Sequence, residues 1–252
     1  MPTTLIFGGS GKVALHLTRI LTSSTPTHTV YSIIRSASHN DTVKAAGGIP
    51  VLHSIEDSDP HKMAAMIREC GAVDAIVWAA GAGGKGGEER TDAVDRKGAI
   101  DAMDAAKEAG VKRYVMVSAV DVRDRSKGTP EWYAEGMKER SGMVWKAIGR
   151  YMEAKLAADR ELVGGNEKRV LRYTIVRPSG LLDGEGTGKV EAGKTSTFES
   201  ISRQDVAAVV AEVLKNDATV GLAFDIVGGQ TPVEQAVKEV AEKKVNTFEG
   251  FY

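Results

Sequence analysis

Short runs of β-branched and apolar residues alternate along the chain with longer stretches that repeat apolar residues at helical spacing. Most of the short runs are continuously apolar, which is typical of strands buried on both faces of a parallel sheet. The pattern predicts strands at Thr4–Phe7, Thr29–Ile34, Ile49–Leu52, Ala75–Ala79, Arg113–Ser118, Tyr173–Arg177 and Ala223–Val227. It predicts helices at Lys12–Leu21, Pro60–Cys70, Thr91–Ala109, Trp145–Val163 and Arg203–Leu214. This alternation predicts an α/β fold, with a doubly wound parallel sheet covered by helices on both faces.

Turn and capping signals complete this outline. Two late helices are predicted to start at capping boxes, Ser202 with Asp205 and Thr231 with Glu234. The glycine-rich stretches Gly81–Gly87 and Gly180–Gly188 follow strands and are predicted to be loops over the sheet edge. Because the chain shows no fixed-period repeat and no Pro/Ser-rich linker, a single domain spanning residues 1–252 is expected, with residues 119–145 and 178–200 as its substrate-side elements.

Composition and charge exclude several classes of function. The 252 residues include 33 Lys and Arg against 34 Asp and Glu, so there is no electrostatic reason to expect a nucleic acid or an anionic membrane as partner. The single cysteine, Cys70, excludes an internal disulfide and a thiolate zinc site, and the histidines lack metal-ligand spacing, so no metal is expected. No apolar run approaches the roughly 18–20 residues of a membrane span.

The remaining class is a protein that acts on a small molecule. The N-terminus opens directly into an apolar strand, without a basic segment or a cleavage site, so no secretory signal is expected and a cytoplasmic location is favoured. A monomer and a homodimer both remain open.

A glycine-rich segment directly after the first predicted strand indicates a phosphate-binding loop. The spacing Gly8-x-x-Gly11-x-x-Ala14 is a form of the dinucleotide fingerprint, in which small residues let the backbone approach a pyrophosphate at a helix N-terminus. An ATP-binding P-loop would need Ser or Thr after the lysine, where this chain has Val13. The expected cofactor contacts are Gly8, Ser10, Gly11, Lys12 and Val13. The alternative is a purely structural turn.

The end of the second predicted strand indicates which dinucleotide is preferred. Chains that prefer NAD usually place Asp or Glu there to hold the ribose 2′-hydroxyl, whereas this chain has Arg35, and the nearest acid downstream is Asp41. A guanidinium can bind a 2′-phosphate with two hydrogen bonds, and Lys12 is expected to add to its field. The sequence therefore favours NADP(H) over NAD(H). The alternative is that Arg35 is an ordinary solvated charge.

Tyr151 and Lys155 stand four residues apart in a helical pattern. At about 100° per residue, both fall on one apolar arc with Val144, Ile148, Ala158 and Leu162. A lysine on a buried stripe is costly unless a specific group receives it, and a nicotinamide ribose would be such a group. The ammonium is also expected to lower the pKa of the Tyr151 phenol from about 10 towards working pH. The alternative is a core tyrosine beside a lysine that extends into water.

Ser118 ends the fifth predicted strand. Ligands of open α/β sheets bind outside the carboxyl ends of the strands, so its hydroxyl is placed to hold a substrate oxygen. A serine in this position is equally typical of an ordinary strand end.

Together these residues resemble the short-chain dehydrogenase/reductase superfamily of Rossmann-fold proteins. The closer resemblance is to its atypical NAD(P)-binding branch, which includes NmrA-like proteins and flavin- or biliverdin-reductase-like proteins. It covers nearly the whole chain and rests on the glycine loop, Tyr151-x-x-x-Lys155 and four further blocks: Ala79–Gly83, Ala105–Arg113, Tyr173–Pro178 and Ile201–Ala207.

The resemblance implies a set of cofactor and catalytic residues. Arg35, with Ser36 beside it, would contact the 2′-phosphate of NADP, while Ala79, Ala80 and Gly81 would line the cofactor. Pro178 would lie near the nicotinamide, and the catalytic set would be Ser118, Tyr151 and Lys155. Where relatives often carry an Asp near the adenine, this chain has Ser54, followed by Ile55. The segment 121–143 matches nothing in the family pattern.

The function implied is NADPH-dependent reduction of a small carbonyl, quinone or similar compound. Proteins of this branch also include regulators that bind NADP with little turnover, so a non-catalytic redox sensor is the alternative. A nucleotide-sugar epimerase or dehydratase is disfavoured, because only about 75 residues follow Arg177 to build a substrate domain.

Overall fold

The structure is a computed structural model that describes residues 1–83, 87–195 and 197–252. Its strands are β1 (Thr3–Phe7), β2 (Thr29–Ile34), β3 (Ile49–Leu52), β4 (Ala75–Trp78), β5 (Arg113–Val117), β6 (Arg172–Pro178), β7 (Leu181–Leu182), β8 (Lys189–Gly193), β9 (Ile201–Ser202), β10 (Ala223–Gly228) and β11 (Thr231–Pro232). Its helices are α1 (Lys12–Ser23), α2 (Asn40–Ala45), α3 (Pro60–Glu69), α4 (Gly87–Thr91), α5 (Ala99–Glu108), α6 (Glu135–Gly164), α7 (Arg203–Lys215) and α8 (Val233–Glu242).

The described strands form one nine-stranded sheet, in the order β11-β8-β10-β6-β5-β4-β1-β2-β3, and a separate β7-β9 pair. The strands from β10 to β3 run parallel, whereas β8 pairs antiparallel with β10 and with β11 at one edge. This confirms the prediction of a doubly wound parallel sheet. The chain moves outward from β1 through β2 to β3 and then returns to β4, so a topological switch point lies between β1 and β4, where such folds bind ligands.

Helices bury both faces of the sheet, as the continuously apolar strands predicted. On β1, Leu5 and Phe7 pack into one core with α3 and α5, while Ile6 packs into the other core with α1 and α7. All three side chains are fully buried. A strand of this kind needs apolar residues at every position because successive side chains alternate between the two faces.

Two predicted helices differ from those observed. The predicted Thr91–Ala109 helix is preceded by α4, and its first part, Asp92–Gly98, is a π-helical turn that leads into α5. A Cβ on Gly98 would lie 2.4 Å from Ile55 Cγ2, so the turn packs closely against the segment after β3. The predicted Trp145–Val163 helix begins earlier, at Glu135, and Ile148 interrupts it with non-helical angles (φ −133°, ψ 31°).

Of the predicted caps and loops, one cap is confirmed, the other cap is wrong, and one loop contains a short strand. The Ser202 cap is confirmed, since its hydroxyl accepts a hydrogen bond from the Asp205 amide at 2.9 Å. The Thr231 cap is wrong: Thr231 pairs with Val190 in the sheet, and the residue that caps α8 is Pro232. The predicted loop Gly180–Gly188 contains β7.

Residues 84–86 of the predicted loop Gly81–Gly87, and residue 196 of the predicted substrate-side element 178–200, lie outside the described residues. Among the helices that are described, none is long and apolar enough to cross a membrane.

Candidate active site

The loop between β1 and α1 can have only small residues at its first positions. Gly8 has a φ of +79°, and a Cβ there would lie 2.7 Å from the Ala80 backbone. A Cβ on Gly9 would lie 2.5 Å from Ser32 Cβ, and the amide of Gly11 donates to the Gly8 carbonyl at 2.8 Å. Gly11 is the N-cap of α1, whose first amides therefore point out of the helix beside the loop. This backbone cradle at a helix N-terminus fits the pyrophosphate of a dinucleotide.

A cavity at the carboxyl ends of β1, β2 and β4, here called the dinucleotide cavity, lies at the switch point of the sheet. Eight of the predicted cofactor contacts line it: Gly8, Ser10, Gly11, Arg35, Ile55, Ala79, Ala80 and Gly81. Ser36 and Ser54 do not line it. Ser36 accepts a hydrogen bond from the Ser38 amide, and Ser54 donates to Asp57 at 2.7 Å, so both hydroxyls serve local turns.

A carboxylate unforeseen by the sequence analysis lies beside Arg35. Glu56 Oε1 is 2.7 Å from Arg35 Nη1 and 3.1 Å from Arg90 Nε, and all three residues line the dinucleotide cavity. Burial acts to raise the pKa of Glu56, but hydrogen bonds from Arg90 and Arg35 outweigh it and hold the pKa below its usual value. This end of the cavity therefore presents two guanidinium groups around one carboxylate.

A second cavity, here called the central cavity, continues from the glycine loop to the ends of β5 and β6. It brings together Ser118, Tyr151, Lys155 and Pro178 with Lys12, Val13 and Ala79–Gly81. Ser118 directly follows β5, and Pro178 ends β6. Lys12 lines the central cavity and not the dinucleotide cavity, and its exposed ammonium pairs with Asp183 at 2.5 Å.

Lys155 is buried, with 3% of its side chain exposed, and its ammonium forms an ion pair with a carboxylate. Its ammonium lies 3.3 Å from Asp95 Oδ1 and 3.4 Å from the Val117 carbonyl. Asp95 is fully buried in the π-helical turn and also accepts a hydrogen bond from the Ala82 amide at 2.9 Å. It thus connects the loop after β4 to the lysine. Sequence reasoning missed Asp95, since the π-helical register is not visible in an apolar periodicity of 3.6 residues.

The expectation of a lowered pKa for Tyr151 is wrong. Burial raises the pKa of its phenol, Lys155 acts to lower it, and the carboxylates of Asp95 and Asp159 add to the rise. The Lys155 ammonium lies 5.7 Å from the centre of the Tyr151 ring. Tyr151 therefore keeps its proton at neutral pH, which suits a group that gives a proton rather than one that takes it.

Ser118 also has a partner that the sequence did not indicate. Its hydroxyl donates to Asp159 Oδ2 at 2.7 Å, and Asp159 is fully buried one turn after Lys155 on α6. Burial raises the pKa of Asp159 to about 6, against the opposing influence of Arg177, Ser118 and Lys155.

A third cavity, here called the apolar cavity, opens beyond Ser118 and Tyr151. Most of its lining is apolar: Ala119, Val120, Val144, Ile148, Met152, Pro178, Leu181 and Phe198. It shares Ser118, Ile148, Tyr151, Pro178 and Leu181 with the central cavity. Its walls come largely from residues 119–145 and 178–200, and Ile148 and Leu181 are 47% and 38% exposed at its rim.

Comparison with known proteins agrees with this geometry. A family model described as NAD(P)H-binding matches residues 8–217. A UPF0659 protein of Schizosaccharomyces pombe, whose name states no activity, is 38% identical over 248 residues, which are 98% of each chain.

Two solved structures are also similar. One is a protein of Bacillus halodurans assigned as an NAD-dependent epimerase/dehydratase; it is 30% identical, with a TM-score of 0.77 over 95% of this chain and 100% of that one. The other is an oxidoreductase of Lactococcus lactis; it is 25% identical, with a TM-score of 0.73 over 95% of this chain and 97% of that one.

Proposed function

Because the chain belongs to the NAD(P)H-binding family, we propose that it is an NADPH-dependent reductase of a small carbonyl, quinone or similar compound. One observation carries the proposal: Ser118, Tyr151 and Lys155 line a single cavity together with the glycine loop. That cavity joins the apolar cavity at Ser118 and Tyr151, so a substrate held among apolar walls would present its oxygen to both hydroxyls.

In this reduction the side chains donate a proton, stabilise the resulting charge and orient the substrate. When bound, NADPH supplies the hydride that reduces the substrate carbon. Tyr151 gives its phenolic proton to the substrate oxygen, and the neighbouring Lys155 ammonium offsets the negative charge that this leaves on the phenolate. Asp95 holds the ammonium in place, and Ser118 orients the substrate oxygen.

The preference for NADPH belongs to the same proposal. Arg35 and Arg90 both line the dinucleotide cavity, where both guanidinium groups pair with the carboxylate of Glu56. A 2′-phosphate would compete with Glu56 for these guanidinium groups and could bind them with paired hydrogen bonds.

The proposed function is tested by following NADPH absorbance with a panel of quinones, aldehydes and ketones. Tyr151→Phe keeps the ring but removes the proton, so turnover is expected to fall by about 10²- to 10⁴-fold while NADPH affinity stays nearly constant. Tyr173→Phe is the matched control, because it removes a half-buried hydroxyl that lines none of the three cavities. Equal turnover by Tyr151→Phe and the parent would rule out Tyr151 as the proton donor.

A non-catalytic NADP sensor is the second candidate. It is favoured by the commitment of the Ser118 hydroxyl to Asp159, since this hydrogen bond directs the Ser118 proton into the protein and away from a substrate. Tight NADPH binding with no turnover across the panel would support the sensor. A nucleotide sugar incubated with the NAD-loaded protein tests the epimerase/dehydratase chemistry assigned to the Bacillus halodurans protein.

A further inference from the structure

A row of buried charges runs behind the candidate active site, within the described part of the chain. From the π-helical turn inward, its neighbouring members are Asp95, Lys155, Asp159, Arg177, Asp225, Asp121 and Arg123, none more than 3% exposed. Three cations thus face four carboxylates. If all were ionised, the row would hold one uncompensated negative charge in the core, which is costly. A proton bound to one carboxylate removes that cost.

The partners of each carboxylate in the row indicate which one is least stabilised in its ionised form. Asp121 accepts from Arg123 at 2.8 Å, from Ser141 at 2.7 Å and from Trp145 at 3.0 Å. Among the described residues, Asp159 accepts a hydrogen bond only from Ser118 and forms no ion pair, whereas Asp95 and Asp225 lie 3.3 Å and 3.4 Å from a cation. Burial without compensating donors favours the neutral form of an acid.

We propose that Asp159 is a positioning residue that sets the direction of the Ser118 hydrogen bond. When Asp159 holds a proton, it donates to Ser118 Oγ, and the Ser118 hydroxyl is released to donate to the substrate oxygen. When Asp159 is ionised, Ser118 must donate inward and presents only lone pairs to that oxygen. No bond to carbon changes in this step, and the Asp159 proton stays within the pair. The inference rests on the proposed reductase function.

The groups around Asp159 determine how this pair responds to pH. Lys155 on the same helix and Arg177 on β6 favour the anion, whereas burial favours the acid and raises the pKa to about 6. Asp95 partly neutralises Lys155 at 3.3 Å, Asp225 on β10 partly neutralises Arg177 at 3.4 Å, and Tyr151 adds no charge while it is protonated. The productive direction of the Ser118 bond is therefore expected to be lost as the pH rises through about 6.

The test compares the pH profile of kcat/KM for the parent and Asp159→Asn between about pH 5 and about pH 8. The Asn amide can donate to Ser118 Oγ at every pH. In the parent, kcat/KM is expected to fall by about tenfold per pH unit above the pKa, whereas the Asn variant should keep the low-pH activity across the range. Adding Ser118→Ala to Asp159→Asn should remove this retained activity.

Asp225→Asn provides the matched control. Asp225 is also buried, with its pKa raised to about 6 by burial, but it accepts from Thr247 at 3.2 Å and does not touch Ser118. Because Arg177 is then no longer neutralised and favours the Asp159 anion, this variant should shift the fall in kcat/KM to lower pH without abolishing it. An Asp159→Asn variant with uniformly reduced activity and the pH profile of the parent would overturn the inference in favour of a merely structural role.

An infrared titration of the resting protein separates this inference from the proposed function. The carbonyl band of a protonated carboxylic acid, present in the parent and absent in Asp159→Asn, should disappear as the pH rises through about 6. An Asp159 that is ionised at about pH 5 would overturn the inference whatever turnover is found. A protonated Asp159 in a protein that reduces no compound of the panel would instead overturn the reductase proposal, and with it the role given to Ser118.

Discussion

The Arg35 guanidinium lies at the end of β2 with Glu56 Oε1 2.7 Å away, and Arg90 reaches the same carboxylate at 3.1 Å. The sequence indicated the arginine, because its position relative to the glycine loop is fixed by one strand and one helix. It could not indicate the carboxylate, which comes from beyond β3 and meets Arg35 only when the sheet is assembled. At this scale, therefore, we expect the choice between NADPH and NADH to depend on three side chains rather than on one.

For this trio, we expect opposite effects from two substitutions. Arg35→Ala should bring the NADPH and NADH affinities closer by removing a charge-assisted contact worth about 1.5–3 kcal/mol. Glu56→Gln should strengthen NADPH binding more than NADH binding, because it removes the negative charge that a 2′-phosphate would meet. Calorimetric titration of both cofactors against the three proteins measures this. Equal affinities of the parent for NADPH and NADH would contradict the assignment of Arg35.

Among the elements, the parallel strands were the easiest to predict, because burial on both faces leaves an unbroken apolar run such as Thr4–Phe7. The strand β8, which lies next to the short edge strand β11 and has the mixed sequence Lys189–Gly193, lacks that signal and was missed. So was the first part of α6, whose residues Glu135–Gly142 are mostly polar. Ser118, Tyr151 and Lys155 could be identified from strand ends and helical spacing, but Asp95 and Asp159 could not, because their partners come from other elements.

The contact between α6 and the π-helical turn changes what is expected of Lys155. On an apolar stripe alone, replacing the lysine by methionine would hold or raise stability, but here Lys155→Met leaves the buried Asp95 without its cation. We therefore expect a loss of about 3–5 kcal/mol in the free energy of unfolding. Asp95→Asn combined with Lys155→Met should recover much of it, since no buried charge then remains at the contact. Urea unfolding of the two single variants and the double variant gives the coupling directly.

For the molecule as a whole, the buried acids give stability an uncommon dependence on pH. Burial raises the pKa values of Asp159 and Asp225 to about 6 in the folded state, against 3.8 for an ordinary aspartate. Between these values the folded chain binds more protons than the unfolded chain, so the contribution of these two groups to stability falls as the pH rises through that window. Each unit of pKa difference corresponds to about 1.4 kcal/mol.

The contribution of Asp159 to this pH dependence can be isolated by comparing the free energy of unfolding of the parent and of a variant at each pH. The free energy of unfolding of Asp159→Asn should increase relative to that of the parent as the pH rises from about 4 to about 6, because the Asn side chain has no charge to acquire. Urea titrations at several pH values measure the difference. A difference that stays constant across the window would show that Asp159 has the same pKa in the folded and unfolded chains.

The shared walls of the central and apolar cavities have a kinetic consequence. Ser118, Tyr151 and Pro178 border both spaces, so a dinucleotide lying along the central cavity would itself complete the compartment that the substrate enters. We then expect substrate affinity to depend on prior binding of the reductant, and bound substrate to raise the affinity for the reductant by the same factor. The ligands are expected to add in a compulsory order, dinucleotide first. Under that order a non-reducible substrate mimic inhibits uncompetitively against NADPH, and the oxidised cofactor is the last to leave.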